Sequence, residues 1–177
     1  MNTMKILFVS PEAVPYAKTG GLADVAGALP KSIAAQGHSV ALIMPLYKMV
    51  DRDKFGITEI ASDLPAKIAG REEKFSIYQG KSDIEGFNIF FVGNMRYFNR
   101  PELYRDPATG KDWADNDERF GFFSRAVLET CKNRGFIPDI VHCNDWQSGL
   151  IPALIKEDPS FKSFAKTASL FSIHNIA

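Results

Sequence analysis

The chain has 177 residues, room for one domain with a core of its own and little room for two. Hydrophobic residues make up 45% and charged residues 24%, the make-up of an ordinary globular protein. Lys plus Arg equals Asp plus Glu at 21 each, so no global positive field exists for a polyanion, which argues against nucleic acid or an anionic membrane as partner. A neutral ligand, or an anion held by a local cluster of donors, fits this balance.

The opening MNTMKILFVS reads as a first strand rather than a secretory leader, because its apolar stretch is short and Glu12 follows it. No apolar run approaches the length of a membrane span. Cys131 and Cys143 are spaced neither as a redox pair nor as a zinc site, and they read as free buried thiols in a reducing, cytoplasmic setting.

Residues 5–10 (KILFVS) form the continuous apolar run expected of a parallel strand buried on both faces. A loop over 11–21 carries two prolines and a Gly pair. Leu22, Val25, Ala26, Leu29 and Ile33 then recur at three- and four-residue steps, which predicts a helix. Asp24 lies in its first turn, Gly37 follows its end, and Pro30 inside it predicts a kink or break. A second strand over 40–44 completes a βαβ unit.

Residues 56–69, 73–80 and 87–93 read as strands. No long helix fits between the first two, so antiparallel pairing is expected there. Residues 96–113 are a polar, aromatic-rich loop of a length that is usually functional or mobile. A helix over 115–134 offers Phe120, Phe123, Val127 and Cys131 as its apolar face and stops at Gly135. Residues 139–143 (DIVHC) are a strand, Asn144 and Asp145 are candidate N-caps of a helix to about residue 157, and 168–173 form a last strand. The predicted fold class is α/β: a Rossmann-like three-layer α/β/α domain with a mostly parallel sheet and some antiparallel decoration.

In open α/β sheets ligands bind beyond the carboxyl ends of the strands. Residues 10–21, 142–147 and 174–177 occupy such places and hold two of the three histidines. In the first segment, Gly20 and Gly21 allow close backbone approach, the helix start behind them offers free N–H groups to an anion, and Lys18 adds a charge. It matches neither G-x-G-x-x-G nor the Walker pattern, and a plain strand-to-helix turn reads equally well. In the second, Asp145 reads either as a helix cap or as a site carboxylate, Trp146 as core, and His142 as a buried, hydrogen-bonded imidazole. In the third, His174 and Asn175 follow a strand directly.

Taken together, KTGGLADV after an N-terminal strand and S-P-E, then DIVHCNDW-x-x-GLIP, then SIHNIA, resemble the bacterial glycogen and plant starch synthases, glycosyltransferase family 5, which have the GT-B fold. The resemblance runs the length of the chain in order and spacing. It implies an N-terminal domain on the glucan-acceptor side, with part of the donor site. It also implies a second, C-terminal, ADP-binding domain outside this chain, so that residues 1–177 are a fragment or a naturally short homologue. Many members read D-W-H where this chain has Asp145-Trp146-Gln147, and Gln147 bonds a sugar hydroxyl but never becomes cationic.

The activity implied is retaining transfer of glucose from ADP-glucose to an α-1,4-glucan, with glycogen or maltooligosaccharide as acceptor and no metal or cofactor. Its transition state carries positive charge on the sugar and negative charge on the departing phosphate, so electrostatic placement dominates. The resemblance places Asp145 and His174 at the reacting sugar, and Lys18, Gly20, Gly21 and Asn175 at the donor. It places Glu12, Asp24, Tyr104 and Gln147 toward the acceptor or sugar, although simple loop packing accounts equally for Tyr104. Another GT-B glycosyltransferase, using a different nucleotide sugar, and a non-catalytic glucan-binding domain are the alternatives.

Overall fold

The computed structural model describes residues 3–175; Ile176 and Ala177, the end of the third predicted site segment, lie outside the described residues. A single seven-stranded sheet forms its centre, built from β1 (Lys5–Val9), β2 (Ser39–Pro45), β3 (Thr58–Ile68), β4 (Arg71–Gly80), β5 (Phe87–Gly93), β6 (Ile140–Asn144) and β7 (Ala168–Ser172). Their order is β3-β4-β5-β2-β1-β6-β7. β5, β2, β1, β6 and β7 are parallel, while β3 and β4 add an antiparallel hairpin at one edge. That hairpin turns through Ala69 and Gly70, both at positive φ, as tight hairpin turns require.

The parallel strands are apolar along their length because both faces are covered; in β2 every residue after Ser39 is buried. From β1 the chain steps to β2 and on to β5, then returns past β1 to place β6 and β7 on its other side. Right-handed crossovers in opposite directions put helices on opposite faces. Helix α1 (Leu22–Ala34) therefore covers one face, and α4 (Asn116–Asn133) with α5 (Ile151–Glu157) covers the other. Two one-turn helices, α2 (Arg52–Phe55) and α3 (Met95–Phe98), complete the set; the latter opens the stretch predicted as loop. The reversal of strand order falls between β1 and β6, the switch point where α/β sheets open a crevice.

Three local expectations are corrected. α1 runs through Pro30 unbroken, with the ring buried on the sheet-facing side. Its buried face is Leu22, Ala23, Ala26, Gly27, Pro30 and Ala34, while Val25 and Leu29 are exposed. The third concerns Asn144 and Asp145, which do not cap a helix. A 3₁₀ turn, Trp146–Ser148, intervenes before α5, and neither α5 nor that turn receives a side-chain cap. Asp145 is committed elsewhere. By contrast Phe120, Phe123, Val127 and Cys131 are buried as predicted, and both thiols are free and buried. Among the described residues no helix is long and apolar enough to cross a membrane.

Candidate functional site

The loop after β1 is stapled by a buried carboxylate. Glu12, 2% exposed, accepts through Oε2 from the backbone N–H of Thr19 and from Thr19 Oγ1 at 2.9 Å. Val14 N–H donates to Ala23 O at 3.0 Å, tying the loop to α1. That close approach depends on Gly27: a Cβ there would stand 2.3 Å from Val14 Cγ2 and 2.8 Å from Val14 O. The loop delivers Gly20 and Gly21 to the start of α1, where no side chain caps the helix and a Cβ on Gly21 would meet nothing within 4 Å. An uncapped helix start facing open space suits an anion. Lys18 Nζ reaches across it to both oxygens of Asp24 at 2.7 Å, and this pair is half-exposed.

Beyond β6 the backbone is strained. Asp145 has φ 57° and ψ 173°, a conformation nearly reserved for glycine that costs about 1–3 kcal/mol in other residues. The surroundings enforce it. Asp145 N–H donates to Ser172 O at 2.9 Å, and Ser148 Oγ donates to the carbonyls of Asn144 and Asp145 at 2.8 and 3.0 Å. The Asp145 carboxylate then turns to the end of β7. Oδ1 accepts from the N–H groups of His174 and Asn175 at 2.5 and 3.2 Å, and Oδ2 accepts from Asn175 Nδ2 at 3.3 Å.

Asn144, missed as a site residue in the sequence, orients the His174 ring. Its Nδ2 donates to Val9 O at 3.1 Å and to His142 O at 3.2 Å, and only an amide nitrogen can face two carbonyls. Oδ1 therefore faces His174 Nε2 at 3.0 Å, and Nε2 carries the hydrogen. Nδ1 is left without a partner among the described residues, on an exposed side chain. His142 below it is buried, as predicted. Its Nε2 pairs with Ser172 Oγ at 2.8 Å, and its ring meets Phe8 edge-on at 4.6 Å. Desolvation, and secondarily His174, hold its pKa below 6.5.

Gln147 is buried, and its Oε1 has no hydrogen-bond partner among the described residues. Trp146 is not core: it is 50% exposed, edge-on to Phe120 at 5.0 Å. Tyr104 packs on Phe120 with ring centroids 6.0 Å apart, its hydroxyl buried and unpartnered among the described residues. Burial foremost, with Tyr47, Glu12 and Asp145 adding, holds that phenol far above its ordinary pKa. Every candidate residue on the loops after β1, β6 and β7 thus stands at the carboxyl edge of the sheet beside the switch point. Unlike Asn144, the other contributors missed in the sequence (Thr19, Ser172) are common hydroxyl residues whose partners lie far along the chain, and nothing local marks them.

The chain matches the family model described as starch synthase catalytic domain over residues 5–177. It is 42% identical over 175 residues to the glycogen synthase of Geotalea daltonii and 44% identical over 177 residues to that of Moorella thermoacetica, each match covering 98% of this chain. It spans about a third of those relatives' length, 35% and 34% respectively. Among solved structures it is similar to the catalytic domain of starch synthase IV from Arabidopsis thaliana bound to ADP and acarbose. That match has a TM-score of 0.84 and 29% identity, covering 98% of this chain and 34% of that one. With the motif loops gathered at one sheet edge and the family model matched from β1 onward, the chain belongs to the starch synthase catalytic-domain family.

Proposed function

We propose that the chain is the N-terminal domain of a cytoplasmic, ADP-glucose-dependent glycogen (starch) synthase, active when paired with its own C-terminal, nucleotide-binding domain. The observation that carries this reading is the strained Asp145, whose carboxylate binds the backbone of His174 and Asn175 and so aims the His174 imidazole out of the sheet edge. A relative that binds ADP and acarbose shares this chain's fold over nearly its whole length.

In the reaction the anomeric C–O bond to ADP breaks, the terminal 4-hydroxyl oxygen of the glucan bonds that carbon on the same face, and the hydroxyl proton leaves with the departing ADP phosphate. The start of α1 at Gly20 and Gly21, with Lys18, receives developing charge on the donor phosphate. His174 Nδ1 accepts from a hydroxyl of the transferred glucose, held in place by Asp145 and Asn144, while Asn175 stands beside it on the donor side. Glu12, Asp24, Gln147 and Tyr104 line the acceptor side; the unpartnered Oε1 of Gln147 suits a sugar hydroxyl, which needs no cation. No metal or cofactor is assigned a role.

The test is incorporation of labelled glucose into glycogen by the full-length protein, with ADP-glucose and UDP-glucose compared. Preference for ADP-glucose supports the reading; preference for UDP-glucose makes the protein a different glycosyltransferase. Glucan binding without transfer would make it a binding module. The 177-residue chain alone should show no measurable transfer, because losing one transition-state donor already removes roughly a hundredfold and the opposing wall supplies several.

A further inference from the structure

Arg119 heads the fully buried side chains by size, and no carboxylate among the described residues lies within salt-bridge distance of it. It points into the protein from α4, on the same face as Phe122, Phe123 and Ala126. Nε donates to Tyr97 O at 2.9 Å, and Nη1 donates to Leu103 O at 3.0 Å and Asn116 Oδ1 at 2.6 Å. Asn116 Nδ2 completes the clamp by donating to Tyr104 O at 3.0 Å. The guanidinium lies over the Phe120 ring at 5.2 Å, the same ring on which Tyr104 packs.

An apolar side chain would fill this position without the large desolvation penalty of a buried, unpaired cation. Burial lowers the pKa to about 10, which leaves the group charged at neutral pH. Nη2 and the hydroxyls of Tyr47 and Tyr104 are buried and lack partners among the described residues. After burial, Tyr47, Glu12 and Asp145 raise the pKa of the Tyr104 phenol and Arg119 lowers it. What the guanidinium secures is the backbone of the segment that carries Tyr104, at the Tyr97 and Leu103 carbonyls directly and at the Tyr104 carbonyl through Asn116.

We propose that Arg119 is a positioning residue for the glucan acceptor: through Leu103 O and, with Asn116, Tyr104 O, it locks Tyr104 against Phe120 as a rigid wall beside Glu12 and Asp145. The proposal rests on the reading that this edge takes a glucan. Lysine keeps the charge but loses the planar fork that reaches three acceptors at once. In the full-length protein, Arg119→Lys should raise KM for maltoheptaose on the order of tenfold to a hundredfold. KM for ADP-glucose should stay within about twofold, since the 11–21 loop is untouched.

Added to Tyr104→Ala, Arg119→Lys should cause little further loss, because both act through one side chain. Should Arg119→Lys fail to fold, Asn116→Ala removes the Tyr104 tie and leaves Tyr97 O and Leu103 O bonded. It should give a smaller shift in the same acceptor KM. A lowered melting temperature with both KM values unchanged, or losses that multiply in the double variant, would overturn the proposal. A wild-type protein that transfers no glucose to any glucan would overturn the functional reading instead, and this proposal with it.

Discussion

The two wings of the sheet solve their polar groups in opposite ways. At the antiparallel edge, β3 and β4 help line a groove of about 600 Å³ where several charges are paired: Arg96 with Glu73 at 2.8 Å, Arg71 with Glu73 at 3.3 Å and with Glu118, Lys74 with Asp63 at 3.9 Å. At the parallel switch point the chemistry is unfinished. Asp145 is strained, an uncapped helix start faces open space, and Gln147 and Tyr104 hold buried polar atoms without partners among the described residues. Strain and unmet hydrogen bonds are tolerated where function uses them.

The parallel strands supply most of the buried core, with Ala66, Phe75 and Ile77 added from the hairpin, and the largest effect expected tests that weighting. Phe91 in β5 is fully buried, and Phe91→Ala should lose about 3–5 kcal/mol in denaturant unfolding. Leu64 on β3 is only half-buried, so Leu64→Ala should lose much less, under about 2 kcal/mol. Equal losses would mean that the hairpin is as integral to the core as the parallel strands are. Next comes Asp145→Asn, which keeps side-chain size while removing the negative charge. Transfer by the full-length enzyme should fall roughly a hundredfold, with stability changed by about 1 kcal/mol. A variant with unchanged transfer would reduce Asp145 to a backbone staple for residues 174 and 175.

How much of this was legible in the sequence depends on the range of the interactions. The parallel strands were visible because burial on both faces leaves an unbroken apolar run, as in KILFV and FNIFFVG. The hairpin turn was not, because Ala69-Gly70 lacks the Asn-Gly or Asp-Gly signature. The face of α1 was only partly placed: Leu22 and Ala26 are buried, but Val25 and Leu29 turn outward, and the close approach of Val14 at Gly27 leaves no room for a Cβ there. The candidate site loops were legible through their place after strands, but local pattern left Asp145 open between a helix cap and a site carboxylate. Its partners lie 29 and 30 residues away at His174 and Asn175, beyond the reach of any local pattern. Arg119 did carry a readable sign, a charge at i−3 and i−4 from Phe122 and Phe123 on an apolar face.

Gly27 offers a smaller effect that links stability to the site. A Cβ there meets Val14 O as well as Cγ2, and a backbone oxygen cannot swing aside as a side chain can. Gly27→Ala should therefore destabilise by about 1–3 kcal/mol and push the 11–21 loop off α1. In the full-length enzyme KM for ADP-glucose should rise while that for maltoheptaose holds, the mirror image of the Arg119 variants. A rise in the acceptor constant alone would show that the loop belongs to the acceptor side.

The smallest effect separates the two wings by pH. His142 lies under the site, boxed by Phe8, Ser172 and His174, and burial foremost lowers its pKa below 6.5. The unfolded chain therefore binds this proton more readily than the folded one. The stability linked to His142 is fully present above pH 6.5 and is lost as pH falls through the window beneath it. The acids behave alike but lower on the scale. Hydrogen bonds from Tyr97 and Arg71 hold Glu118 below 4.5, and Arg100 holds Asp115 below 3.8. The Ser160 N–H and Arg125 take Asp158 down to about 2. Between pH 6.5 and about 5 the antiparallel edge, anchored through Glu118 and Arg71, stays intact while the region under the site begins to weaken. Melting temperature should decline gently over that interval in the wild type, and His142→Gln, which keeps a hydrogen-bonding group for Ser172, should flatten the decline. The same slope in both proteins would place the titrating group elsewhere and remove His142 from the account of the site.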